Sequence, residues 1–231
     1  MKTAKGLLLD WLKVRLNPAS FSWLQERCEG FESGVPDIFI HVAFSQALRH
    51  VGKSPLHLNG EEQAAAFAFH PGWYLRDWTL DQTARTVLLL SLPGGSKTVE
   101  TLLTLHQTAD LGEHVALARA LFLLPDAKAL LHIAREAMRS NMQDVFSALT
   151  QRNPYPSEYC DDIAWNQMVV KCIFLELPLR EIYGLDQRRN SELSRILLEL
   201  SEERRAAGRP LTEEIWRCVD SSAHEKGTWK R

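Results

Sequence analysis

The residues between positions 152 and 190 carry the most varied chemistry in this sequence. "RNPYPSEYCDDIAWNQMVVKCIFLELP" (152–178) sets Tyr155 between two prolines and opens an apolar run with Trp165, Asn166 and Gln167. Asp161 and Asp162 could be half of a magnesium site, as in helical prenyl-transfer enzymes, but such a site needs further carboxylates facing them. At a helix start their charge complements the macrodipole, and capping is the favoured role. Asn166 stands three residues before Val169 and seven before Ile173, so it borders the apolar face, whereas Gln167 and Lys171 share another face at i, i+4. An amide beside a core face must be hydrogen-bonded or it costs about 1–3 kcal/mol. Pro154 and Pro156 push Asn153 and Tyr155 toward extended conformations, so "NPYP" reads as a stiff elbow with backbone groups to satisfy. Two readings stay open. Asn166 staples that elbow, which is favoured, or Asn166, Gln167 and Lys171 face a ligand cavity bounded by Tyr155 and Trp165, beside Asn153.

"GLDQRRN" (184–190) places Asp186, Arg188, Arg189 and Asn190 in one turn and helix start. An arginine beside free helix N–H groups is a grip for an anion or phosphate. An ordinary Asn190 cap, with Asp186 bridging an arginine, explains the position unaided. Trp216 and Arg217 could close the same surface. The expectation is that loss of Asn166 harms the fold. Loss of an exposed Arg188 would harm recognition, with a stability change under about 0.5 kcal/mol.

Other chemistry is thin. Eight histidines contain no H-E-x-x-H and no pair at i, i+4, so no metal is expected. His106 and Glu113-His114 straddle a helix break and would meet only through tertiary packing. Gly94-Gly95-Ser96-Lys97 lacks the first glycine of a phosphate loop and follows a helix, and neither G-x-S-x-G nor G-x-G-x-x-G occurs. No cofactor is expected. Cys28, Cys160, Cys172 and Cys218 form no C-x-x-C and read as buried, reduced thiols. Most of the seven tryptophans read as core anchors whose indole N–H finds a partner.

The elements that must position these residues are helical from end to end. Leu8, Leu12 and Leu16, with Trp11, make an amphipathic N-terminal helix, favoured to pack on the core rather than on a membrane. Pro18 opens a second helix and Asp37 caps a third, "DIFIHVAFSQALRHVG". "GEEQAAAFAFHPGW", "DWTLDQTARTVLLLSLPGG" and "KTVETLLTLHQTA" follow. Asp110 and Glu113 form a capping box before "LGEHVALARALFLL". "AKALLHIAREAMR" and "MQDVFSALTQR" come next. Asn190 caps the charged helix "SELSRILLELSEERRAAG", "PLTEEIWRCVD" adds a short one, and "SSAHEKGTWKR" frays.

At 231 residues, 45% hydrophobic, the chain suits one domain with a sizeable core. Its formal charge of −2 argues against nucleic acid. No stretch approaches the roughly 18–20 apolar residues of a membrane span. Short connections force neighbouring helices nearly antiparallel. The expected fold is therefore all-α, an irregular stack of antiparallel helical hairpins resembling a HEAT-like α-solenoid. It is read as one domain, with N-terminal helices in 1–108, a second region in 109–220 and a frayed tail in 221–231.

"ADLGE" (109–113), "LP" (124–125), "RSNMQDVF" (139–146), "NPYP" (153–156), "AWNQMVVK" (164–171), "GLDQRRN" (184–190), "ERRAAGRP" (203–210) and "WRCV" (216–219) occur together in this order. In this the chain resembles EboA-type proteins of the bacterial ebo metabolite-traffic gene clusters, most strongly from about residue 109 onward. The resemblance implies a cytoplasmic helical protein, with the inner-membrane periphery as a further option. It would work beside a prenyltransferase-like membrane protein and sugar-phosphate or cyclitol-type enzymes. It carries no reaction to particular residues. The reading is a non-catalytic scaffold or carrier that binds a small metabolite or a pathway protein. Its rival is an enzyme acting on a phosphorylated or cyclitol-like molecule through Asp186, Lys171 and a histidine.

Overall fold

A computed structural model describes residues 2–34, 36, 38–208 and 213–219. The expected cap at Asp37, the start of the helix at Pro210 and the tail 221–231 lie outside the described residues. The protein is all-α, and among the described residues the nearest thing to a sheet is a single antiparallel bridge between Pro55 and Thr79.

The chain forms two compact units, Met1–Leu149 and Thr150–Arg231. The first holds α1 (Ala4–Lys13), α2 (Pro18–Glu32), α3 (Ile38–Val51), α4 (Gly60–Phe69), α5 (Leu80–Leu89), α6 (Gly95–Thr108), α7 (Leu111–Ala120), α8 (Leu131–Arg139) and, but for its last residue, α9 (Gln143–Thr150). The second holds α10 (Tyr155–Tyr159), α11 (Asp162–Phe174) and α12 (Ser191–Ala206).

Local chemistry sets most boundaries. Asn17, Asn59, Asp110, Asp161 and Asn190 each accept a backbone N–H from the first turn of the helix they precede. Pro18 stands in the first turn of α2, where its missing N–H costs nothing. The Asp110–Glu113 capping box forms as the sequence predicts. Two boundaries differ from expectation. The helix after Asp110 stops at Ala120 and tightens into a 3-10 turn over Leu121–Leu123, because Pro125 holds Leu124 extended. The stretch 77–79 stays outside α5, which begins at Leu80.

α5 is the axis of the first unit, packed against α1, α2, α3 and α7. All ten of its residues are buried, although half of them are polar or charged (LDQTARTVLL). Each polar group is matched. Thr83 and Thr86 donate to the carbonyls of Thr79 and Gln82, one turn back. Gln82 Oε1 accepts from Arg119 at 2.6 Å. Arg85 Nη1 reaches Asp81 Oδ2 at 2.6 Å, and its Nε donates to the Phe44 carbonyl of α3 at 3.0 Å. The guanidinium also lies 5.5 Å from the Phe44 ring centroid. Around this axis Leu8, Trp11 and Leu12 of α1 are buried, so the N-terminal helix packs on the protein's own core as expected. Leu16 falls beyond its end.

The tryptophans divide. Trp11, Trp73, Trp78 and Trp165 are buried, but the Nε1 groups of Trp73 and Trp165 meet no acceptor, contrary to expectation. Ring packing substitutes at Trp73, which lies 5.6 Å from Trp11 and 5.4 Å from Phe69 between ring centroids. All four cysteines are free and buried, and burial pushes the thiols of Cys172 and Cys218 up to about 12.

Breaking the α5 pair should cost far more than its neutral sum suggests, because one partner is then left buried and uncompensated. Asp81→Ala is expected to lower unfolding free energy by about 3–5 kcal/mol in urea titrations. A loss under about 1 kcal/mol would show that Arg85 is accommodated without Asp81.

Candidate functional site

In the second unit the residues singled out by sequence converge on the junction of α10, α11 and the start of α12. "NPYP" does not form an extended elbow. Tyr155–Tyr159 is a helical turn, with Pro156 in its first turn, where a fixed φ and an absent N–H are both compatible with helix. Asn153 Oδ1 accepts the Tyr155 N–H at 3.0 Å, so this start is secured by its own neighbour. Tyr155 is fully buried, and burial pushes its hydroxyl pKa up.

Asn166 is buried, but it does not staple "NPYP". Its side chain forms a reciprocal amide pair with Asn190, Nδ2 to Oδ1 at 3.1 Å one way and 2.9 Å the other. Asn190 Oδ1 also accepts the Leu193 N–H at 2.8 Å, which caps α12. One amide pair thus removes two polar side chains from water and fixes the first turn of α12 to α11. The sequence reading went astray because it searched near Asn166 in the chain, and the partner lies 24 residues away.

The staple of the short helix is Arg188. Its Nη1 donates to the carbonyls of Ser157 at 2.9 Å, Cys160 at 3.0 Å and Pro156 at 3.4 Å. Its Nη2 reaches Asp162 Oδ1 at 2.6 Å. The guanidinium covers the Trp165 ring at 4.9 Å. These carbonyls end α10, where a cation complements the helix dipole. Arg188 is therefore four-fifths buried rather than an exposed anion grip. Gly184 allows the approach. Its φ is +78°, and a Cβ there would lie 2.0 Å from Ser157 Oγ, so the turn that delivers Arg188 has room only for glycine.

Asp186 bridges two arginines, Arg189 at 3.2 Å and Arg217 at 2.8 Å. Trp216 beside it is half-buried. Lys171 is also half-buried, and desolvation lowers its pKa. Gln167 is exposed and shares no cluster with Asn166. The buried stripe of α11 runs through Trp165, Met168, Val169, Cys172 and Ile173, whereas Phe174 is 56% exposed. Asp161 caps α11, as expected, and Asp162 pairs with Arg188. Among the described residues no group of three histidine, cysteine or carboxylate side chains is placed to hold a metal ion.

A family model described as metabolite traffic protein EboA matches residues 4–220, nearly the whole chain. The chain belongs to the EboA family. No curated protein and no solved structure matches it. The family match spans both units, including the first hundred residues, where the sequence resemblance was weakest.

Arg188→Ala is expected to destabilise the protein by about 2–3 kcal/mol in denaturant unfolding, because the hydrogen bonds it removes are charge-assisted and largely buried. Arg188→Lys should restore only part of this, since an ammonium cannot reach three carbonyls and a carboxylate in one plane. Wild-type stability in the alanine variant would return Arg188 to the role of a surface recognition group.

Proposed function

We propose that this EboA-family protein is a non-catalytic helical scaffold or carrier in small-metabolite synthesis and traffic. It binds a metabolite or a pathway protein on the outer face of α11. It works without a cofactor, on the cytoplasmic side, with a prenyltransferase-like membrane protein among its partners.

One observation carries this reading. The polar residues of the second unit that might have formed a reactive centre are committed to each other: Asn166 to Asn190, Arg188 to Asp162 and three carbonyls, Asp186 to Arg189 and Arg217. Such mutual pairing builds a rigid platform rather than a set of groups aimed at a reacting atom. The same helix then presents a different face to solvent. Ile163 is 73% exposed, Phe174 is 56% exposed, and Gln167 between them is also exposed. At 3.6 residues per turn these three share one line along the helix. Arg204 lies 5.7 Å from the Phe174 ring, adding a cation at one end. An apolar and amide stripe flanked by a cation suits a partner or ligand with apolar and acidic parts.

Ile163→Asp with Phe174→Ser tests the surface. The pair is expected to change stability by no more than about 1 kcal/mol, summing two surface substitutions. Product output of the pathway in cells should fall several-fold. Unchanged output from a variant as stable and abundant as the wild type would remove this face from the account.

A further inference from the structure

The strongest unassigned cluster lies in the first unit, where two imidazoles meet one carboxylate and a third packs against them. His106 of α6 is buried, and its Nε2 stands 2.7 Å from Oε2 of Glu136 in α8. His132, one turn earlier on α8 and exposed, places Nε2 3.4 Å from the other oxygen of Glu136. His114 of α7 meets the His106 ring edge-on, with centroids 4.8 Å apart. On its far side His106 Nδ1 is buried and has no hydrogen-bond partner. The neutral tautomer follows: Nε2–H donates to Glu136, and Nδ1 turns a bare lone pair inward.

We propose that His106, His114 and Glu136 form a proton-operated latch that ties α6 to α8 at neutral pH and loosens the α6–α7 corner on mild acidification. His106 Nδ1 faces no acceptor, so the ring is held as a single donor through Nε2. Charging His114 places a cation against His106 and takes a partly buried ring out of its preferred neutral form. Glu136 can favour one added proton, but the exposed His132 competes for its second oxygen.

The direction of the response follows from His114. Burial first, and then the neighbouring His106, lower its pKa below 6.5, while Asp110 and Glu113 of its own helix and Glu136 of α8 pull the other way. The unfolded chain therefore binds more protons just below pH 6.5. The stability tied to a neutral His114 is complete at neutral pH and is lost as pH falls through the folded value. Glu136 is also held low, chiefly by its hydrogen bond from His106, but its contribution is lost only below about 4.5. Loss between pH 6.5 and 5 thus belongs to His114 rather than to Glu136. The other charges on the packed elements are elsewhere engaged or exposed: Arg85 of α5 is held by Asp81, Arg119 of α7 by Asp77 and Gln82, and Lys97, Lys128, Arg135 and Arg139 are exposed or half-exposed at the surface.

Amide hydrogen exchange of the full chain, corrected for intrinsic rates, reads the latch at pH 7 and pH 5.5. Protection of α6 in the wild type should fall several-fold at pH 5.5. His114→Gln should lose about twofold or less, and Glu136→Gln should already be less protected at pH 7. Equal loss in wild type and His114→Gln would overturn the latch. Should His114→Gln fold poorly, the imidazole resonances of the wild type decide. His114 titrating below 6.5 supports the proposal, and His114 titrating at or above it overturns the proposal.

Discussion

A polar group taken out of water is costly unless it finds a partner within the protein, and this constraint shapes both units. α5 carries Asp81, Gln82, Thr83, Arg85 and Thr86 through the middle of the first unit with every residue buried. It is tolerated there because carboxylate, guanidinium, hydroxyls and amide are matched to each other, to the turn before them and to the Phe44 carbonyl. The pair contributes little net stability, since desolvation offsets much of the attraction, but neither member can be removed alone. α3 and α5 are thereby tied at one point as well as packed along their length.

The second unit meets the same constraint with longer reach. Short helices end with unsatisfied carbonyls, and α10 is too short to bury its end by packing alone. Arg188 supplies the missing donors and covers the indole of Trp165, whose own N–H finds no acceptor. The Asn166–Asn190 pair then sets where α12 begins. With its inner face fixed by these contacts, α11 can leave Ile163, Gln167 and Phe174 outward. A stiff helix offering a defined stripe loses little conformational freedom on binding, which favours a scaffold or carrier role.

What could be read from sequence was what depends on near neighbours. Caps at Asp110 and Asn190, the first-turn Pro18 and the all-α class rest on chemistry within a few residues. The chemically loaded region was also recognisable, but its pairings were not. Arg188 meets carbonyls about thirty residues earlier, and Asn166 meets Asn190 across a loop, and only folding supplies those neighbours. "NPYP" misled because proline restricts its predecessor toward extended structure, yet it also fits the first turn of a helix, and tertiary contacts chose the second. His106 and His114 do meet, but their shared carboxylate, Glu136, lies thirty residues beyond His106 and carries no motif to announce it. A buried pair such as Asp81–Arg85 has a local signature, acid and base at i, i+4, but that spacing is also the commonest surface pattern.

The central claim is that the polar residues of this region hold the fold while the outer face of α11 does the recognising. A double-mutant cycle of Asn166→Ala and Asn190→Ala, read by urea unfolding beside pathway product output, tests it most directly. The account predicts a coupling energy of about 1 kcal/mol or more, because each amide is the other's partner. It also predicts that output falls only in proportion to folded protein. Additive effects within about 0.3 kcal/mol, with output abolished in a stably folded Asn166→Ala variant, would contradict it and make Asn166 a ligand-binding residue.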